Sequence, residues 1–69
     1  MLPNMDYLTR EEVERIYEIS KKENMFLYQI GRECGIRDKA FWCRIMQGKK
    51  PIPEHARISL MQFFREKGV

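Results

Sequence analysis

The sequence has few of the residues that build metal sites, disulfides or membrane spans. Its 69 residues include two cysteines, one histidine and three prolines. Cys34, Cys43 and His55 are too few and too unfavourably spaced for a structural zinc site, which usually has four ligands. No apolar run approaches the roughly 18 residues that cross a bilayer. We therefore expect a protein without a metal, without another cofactor and without a membrane segment.

The start of the chain also lacks the pattern of a signal peptide. Residues 1–4 contain no basic region followed by an apolar one. We therefore expect a cytoplasmic protein whose cysteines stay reduced, with Cys34 in the core. An enzyme is not expected, because only His55 could serve a cysteine nucleophile as a base and no third group is spaced to orient it.

The positive charge is concentrated in the second part of the chain. The net charge at pH 7 is +3. Residues 1–24 contain four basic and six acidic side chains, whereas residues 25–69 contain nine basic and four acidic ones. The first segment therefore has a net charge of −2 and the second a net charge of +5. This asymmetry favours a polyanionic partner, with a solvated lysine-rich face as the alternative.

Hydrophobic periodicity predicts a single all-α domain over residues 1–69, with four helices and a short N-terminal arm. The helices are expected at about 10–23, 25–34 and 39–47, and from Pro53 to the pair Lys67-Gly68, with the arm at 1–8. Thr9 and Glu12 have the spacing of a capping box. Asn24 and Asp38 are predicted to cap the second and third helices, and Gly35 to end the second.

The apolar faces of these helices define the expected core. The inward residues of the first helix are expected to be Val13, Ile16, Tyr17 and Ser20, with Ile19 at the edge. Those of the second helix are Leu27, Ile30, Gly31 and Cys34, and those of the third are Trp42, Ile45 and Met46. Those of the fourth helix are Ala56, Leu60, Phe63 and Phe64. Ile36 is expected to fill the turn between the second and third helices. One of the pair Phe63 and Phe64 is a candidate for a dimer surface.

The middle of the chain resembles a known DNA-binding family. The residues that carry the resemblance are Gly31, Gly35, Ile36, Trp42, Ile45, Gly48, Lys49 and Pro51. Their spacing is similar to that of the Cro/repressor-type (XRE-like) helix-turn-helix proteins of phages and bacteria, over about residues 13–64. The resemblance implies a compact four-helix domain with a helix-turn-helix motif at about 25–47, whose second helix enters the DNA major groove.

The chain departs from the family pattern at the turn. The step from Gly35 to the first inward residue of the recognition helix is six in the family, but Gly35 to Trp42 is seven. Taking Phe41 as the inward residue would restore the step and turn Arg44 into the core. A buried unpaired arginine costs several kcal/mol, whereas one extra turn residue costs well under one. We therefore expect Trp42 inward and the extra residue at 37–38. The fifth helix that many relatives use to dimerise is missing.

This register predicts which side chains would meet DNA. The candidates for base contact are Lys39, Ala40, Phe41, Cys43, Arg44 and Gln47. The candidates for phosphate contact form a basic strip that consists of Arg37, Lys49, Lys50 and Arg32. Arg57 is a candidate extension of this basic strip. Arginine pairs bidentately with guanine and glutamine with adenine. For Phe41 two alternatives stay open: packing against Ile36 or the fourth helix, or a patch for protein contact.

Two functional hypotheses follow from these residues. The first is a sequence-specific transcriptional regulator, a repressor of phage or mobile-element type, that binds double-stranded DNA as a homodimer with recognition helices about 34 Å apart. Its regulation would come from concentration or from a protein partner. The second is a protein-interaction module on the same fold, an antirepressor, inhibitor or adaptor without a specific DNA site. The variants that discriminate between them neutralise Lys39, Arg44, Lys49 and Lys50 or replace Phe41 by alanine. If neutralising the basic residues has no effect while Phe41→Ala abolishes function, the second hypothesis is favoured.

Overall fold

Four α-helices account for the secondary structure of residues 7–68, the part of the chain that the computed structural model describes. They are α1 (Arg10–Lys22), α2 (Leu27–Glu33), α3 (Lys39–Met46) and α4 (Glu54–Lys67), and this part contains no strand. The predicted all-α, four-helix architecture is confirmed, and the predicted bounds agree within two residues. Residues 1–6 of the predicted arm lie outside the described residues.

The start of α1 follows the predicted capping box. The Thr9 hydroxyl accepts a hydrogen bond from the Glu12 N–H at 3.1 Å, and the Glu12 carboxylate accepts one from the Thr9 N–H at 2.9 Å. Leu8, directly before the cap, is buried. Leu8, the last residue of the predicted 1–8 arm, is therefore part of the core.

The buried face of α1 is rotated relative to the prediction. Ile16 and Ile19 are both fully buried, whereas 49% of Tyr17 is exposed. The prediction that Tyr17 points inward, with Ile19 only at the edge, is wrong. The physical reason is that α1 is covered by two elements, since α2 packs on it and α4 is tied to it by ion pairs. The stripe between these two neighbours contains Ile19 and leaves Tyr17 on the open side.

Asn24 ends α1 instead of capping α2. Its φ is +54°, in the left-handed region that asparagine tolerates better than most residues. The following Met25 N–H donates to the Ser20 carbonyl at 3.0 Å, which completes the helix end. Phe26 is the N-cap of α2, and the Gln29 side chain accepts a hydrogen bond from its N–H at 2.7 Å. The prediction of Asn24 as the N-cap is therefore wrong.

The turn between α2 and α3 forms as predicted. Gly35 has a φ of +93°, which a residue without a Cβ adopts at little cost. The Ile36 N–H then donates to the Gly31 carbonyl at 2.9 Å, and the Ile36 side chain is buried. The Asp38 carboxylate caps α3 by accepting from the Ala40 N–H at 2.9 Å. The positive φ of Gly35, the hydrogen bond of the Ile36 N–H and the Asp38 cap together fix the direction in which α3 leaves the turn.

The contact between α2 and α3 depends on a glycine facing a tryptophan. A Cβ placed on Gly31 would lie 2.6–2.8 Å from atoms of the Trp42 indole, so only glycine fits this approach. The indole Nε1 donates to the Leu27 carbonyl at 2.8 Å. Trp42 and Ile45 are buried, and Arg44 is exposed. The predicted register of α3 is confirmed.

Two ion pairs tie α4 alongside α1. Arg57 lies 3.3 Å from the Glu12 carboxylate near the start of both helices, and Lys67 lies 3.3 Å from Glu23 near their ends. The two helices therefore run in the same direction. Arg57 also donates to the Tyr7 carbonyl at 3.2 Å. It is thus engaged in the fold, not free as an extension of the basic strip.

The apolar face of α4 is as predicted, with two corrections. Ala56, Leu60, Phe63 and Phe64 are all buried. Neither Phe63 nor Phe64 therefore emerges at a surface, and the prediction that one of them does is wrong. Pro53 is the N-cap and not the first helical residue, because its ψ of 150° is extended.

Candidate nucleic-acid interface

The outward face of α3 presents most of the predicted base-contacting residues to solvent. Lys39, Ala40, Cys43, Arg44 and Gln47 are exposed. They lie opposite Trp42 and Ile45, which are held in the core. Because residues three and four apart share one side of a helix, these positions form one strip along α3.

Phe41 differs from the rest of the predicted set. Its side chain is half-buried and packs against the hydrophobic core. It lines a groove together with Pro51, Ile52 and Glu54, between α3 and the loop that leads into α4. The structure thus favours the packing alternative, on the side of the fourth helix, over a ring that projects freely toward DNA.

The structure brings part of the basic loop onto the α3 strip. A shallow depression of about 310 Å³ is lined by Ala40, Cys43, Arg44, Gln47 and Lys49. The Lys49 N–H donates to the Arg44 carbonyl at 2.9 Å, and Gly48 between the helix and Lys49 has a φ of +77°. This helix end fixes the backbone of Lys49 beside the candidate base-reading residues. Lys50 faces the Phe41 groove instead.

The candidate cations have no acidic partners in the described part of the chain. This group comprises Arg32, Arg37, Lys39, Arg44, Lys49 and Lys50, all exposed and all without a carboxylate oxygen within 4.0 Å among residues 7–68. The ion pairs found there involve Arg15, Arg57 and Lys67, on α1 and α4. Asp38, in the middle of the basic segment, directs its carboxylate to the backbone of α3. Residues 32–50 therefore keep a positive net charge, with six basic side chains against Glu33 and Asp38.

An aromatic ledge borders one end of the α3 strip. The rings of Phe26 and Tyr28 stack with centroids 5.6 Å apart and an interplanar angle of 9°. The Lys39 Nζ lies 4.3 Å from the centre of the Tyr28 ring, a cation–π contact that orients the ammonium group. Phe26 is 66% exposed, so its ring adds apolar surface beside this end of the strip.

This ledge is one wall of a larger groove, which we call the aromatic groove. Its volume is about 470 Å³, and it is lined by Tyr17, Phe26, Leu27, Tyr28, Lys39, Trp42, Cys43, Met46 and Gln47. Three of these residues, Lys39, Cys43 and Gln47, also belong to the α3 strip. The groove was not predicted from the sequence. The available signal was the run Met25-Phe26-Leu27-Tyr28, because a short helix cannot bury so many apolar side chains on one face.

The two cysteines have opposite environments. Cys34 is buried, and this burial, with a smaller contribution from the charge of Glu33, raises the pKa of its thiol to about 11. The group is therefore protonated at neutral pH, and the prediction that it belongs to the core is confirmed. Cys43 is exposed on the α3 strip. Residues 7–68 contain no cluster of three side chains that would hold a metal ion.

Comparison with known proteins adds no assignment to this geometry. No family model, curated protein or solved structure matches the chain. None of the helices in residues 7–68 is long and apolar enough to cross a membrane. The class defined by the fold is a small all-α domain with a solvent-exposed basic helix face.

Proposed function

We propose that this protein is a transcriptional regulator that binds double-stranded DNA in a sequence-dependent way and represses by occupying a promoter. The observation that carries the proposal is the exposed α3 strip, where Arg44 and Gln47 stand among cations without acidic partners. In this proposal α3 lies in the major groove. Arg44 and Gln47 read base edges, because their side chains make the two-point hydrogen bonds that distinguish guanine and adenine.

The dimensions of α3 suit a short stretch of base pairs. From Lys39 to Gln47 the helix rises about 12 Å, the length of three to four base pairs along one strand. Ala40 and Cys43 are small enough to let the backbone approach the bases between them. The major groove, about 12 Å wide, admits a single helix of this kind.

Phosphate contacts are proposed on both sides of α3. Arg37 precedes the helix, Lys49 and Lys50 follow it, and Arg32 lies on α2. The first amides of α3 are already occupied by the Asp38 carboxylate, so side chains and not this helix end would hold the backbone. Four such contacts predict that the logarithm of the binding constant falls with the logarithm of salt concentration with a slope of roughly −3 to −4.

Selection from a randomised duplex pool at two salt concentrations tests the proposal. The wild type should enrich a defined sequence and show this salt slope. Arg44→Ala should relax the preference at one base pair, whereas Lys49→Ala should weaken binding to all sequences equally. Lys22→Ala, an exposed lysine whose ammonium group donates to the Lys67 carbonyl of α4, is the matched control and should bind like the wild type.

Two outcomes would contradict the proposal in different ways. Salt-dependent binding without enrichment would mean that the chain binds DNA without reading it. Absence of binding at low salt, with the helical fold intact by circular dichroism, would exclude the isolated chain as a DNA-binding regulator.

The aromatic groove supports a second candidate function, a protein-interaction module. Phe26 is two-thirds exposed beside a groove wide enough for an apolar side chain of a partner. Under this alternative, Phe26→Ala would abolish function in cells while its circular dichroism stays helical. Arg44→Ala would then have no cellular effect. Under the DNA-binding proposal, Arg44→Ala is the variant that loses function.

A further inference from the structure

We propose that the outer face of α4 binds a second copy of this chain, with the two α4 helices antiparallel about a two-fold axis. The proposal concerns self-association without DNA, so it does not depend on the DNA-binding function proposed above. Four residues carry it: Glu54, Ile58, Met61 and Arg65, which we call the α4 stripe.

The α4 stripe is apolar at its centre and exposed. Ile58 is 55% exposed and Met61 37%, and both project from a helix whose opposite side is buried in the core. Among residues 7–68 the other large exposed apolar side chains are Tyr17 and Phe26, which line the aromatic groove. The stripe is therefore a separate apolar patch on another surface of the molecule.

The spacing of the α4 stripe is that of a helix–helix seam. Its residues are separated by four, three and four positions, the alternation of the two apolar positions in a heptad repeat. Four residues at this spacing stay on one side of the helix over about 16 Å. Neither Glu54 nor Arg65 has an ion-pair partner among residues 7–68, and both are exposed.

The order of the four residues selects the antiparallel arrangement. A two-fold axis through the midpoint between Ile58 and Met61 places each of these against the other residue of the second copy. The same axis places Glu54 of each copy against Arg65 of the other, so both ends of the seam have opposite charges in contact. A parallel arrangement would instead pair glutamate with glutamate and arginine with arginine. Charge complementarity thus identifies the occupant as a second, antiparallel copy.

Charge exchange tests this arrangement by sedimentation equilibrium. The seam is short, so the wild type should dimerise weakly, with a dissociation constant in about the micromolar to millimolar range. Glu54→Arg should place two arginines together at each end, and Arg65→Glu two glutamates. Each variant alone should associate at least about tenfold more weakly than the wild type. An equimolar mixture of the two should dimerise again, because each contact then joins an arginine to a glutamate.

Three controls separate this result from general effects of charge or folding. Glu18→Arg and Lys21→Glu make similar charge changes on the exposed side of α1 and should dimerise like the wild type. The double variant Ile58→Ser, Met61→Ser should remain monomeric while its circular dichroism stays helical. A wild type that is monomeric at millimolar concentration would overturn the proposal. A mixture no more dimeric than its separate components would do the same.

Discussion

The two faces of α3 have opposite physical roles, although they alternate along eight residues. On the inward face, Trp42 and Ile45 are buried, and the indole packs on Gly31. On the outward face, Arg44 and Gln47 are exposed, and Arg44 makes no ion pair within the described range. Substitutions on the inward face should therefore change the free energy of unfolding. Substitutions on the outward face should change binding alone.

Trp42→Ala should have the largest effect on the inward side. It removes a buried ring and leaves the Leu27 carbonyl without its donor, which should lower the free energy of unfolding by about 3–5 kcal/mol. A small domain has little stability beyond that, so the variant should be largely unfolded. Urea unfolding followed by circular dichroism measures the change. Trp42→Phe keeps most of the volume and should lose less; equal losses would contradict this account of the site.

The buried Cys34 and the exposed Cys43 extend the comparison of inward and outward residues to the pH dependence of the free energy of unfolding. The pKa of Cys34 is raised to about 11 in the folded state from an ordinary value of 9.0. The unfolded state therefore loses its proton first, so this contribution to stability is complete below about pH 9 and is lost as pH rises toward 11. The loss should reach about 2–3 kcal/mol.

Unfolding experiments between pH 8 and pH 11 on two cysteine variants measure this loss of stability. Cys34→Ala should flatten the alkaline loss of stability relative to the wild type. Cys43→Ala, on the exposed face, should retain it. Equal slopes for Cys34→Ala and the wild type would show that other groups cause the loss.

Gly31→Ala tests how closely α2 and α3 approach. The added methyl would overlap the Trp42 indole, a clash that outweighs the helix propensity gained from alanine, so the net loss should be about 1–2 kcal/mol. Gly48→Ala is the matched control, because space around Gly48 is open and only its positive φ opposes a side chain. Its loss should be about 1–2 kcal/mol and should come from the positive φ alone. A stabilised Gly31→Ala variant would mean that the helices lie farther apart.

Arg44→Ala should have the smallest effect on stability and the decisive effect on binding. An exposed side chain without an ion pair should contribute less than about 0.5 kcal/mol to folding. Loss of the proposed base contact should weaken binding to the preferred duplex roughly 5- to 150-fold. Calorimetric unfolding and a duplex titration measure the two quantities on one sample. A destabilised variant with unchanged affinity would reverse the roles assigned to the two faces.

The parts of the fold that were predictable from sequence are the local ones. The capping box at Thr9, the cap at Asp38 and the left-handed Gly35 each depend on residues within a few positions. The register of α3 was also predictable, because burying Arg44 without a partner would cost more than lengthening a turn. These signals fix where helices begin and end and which side of α3 is inward.

The parts that were not predictable depend on contacts between distant segments. Periodicity alone placed Tyr17 on the apolar face of α1 and Ile19 at its edge, and the positions of α2 and α4 reverse this order. The pairing of Arg57 with Glu12 joins residues 45 positions apart, so the sequence alone left Arg57 in the basic strip. The aromatic groove likewise forms only when α1, α2 and α3 come together around Tyr28.

Titrating duplex DNA from the selected pool into ¹⁵N-labelled protein tests the central claim most directly, with amide chemical shifts as the readout. We expect the largest changes at Lys39, Ala40, Cys43, Arg44 and Gln47, with further changes at Lys49 and Lys50. Residues on the exposed side of α1 should not move. Changes confined to Phe26 and Tyr28, or no changes at low salt, would contradict the assignment of the outward face of α3 as the DNA-contacting surface.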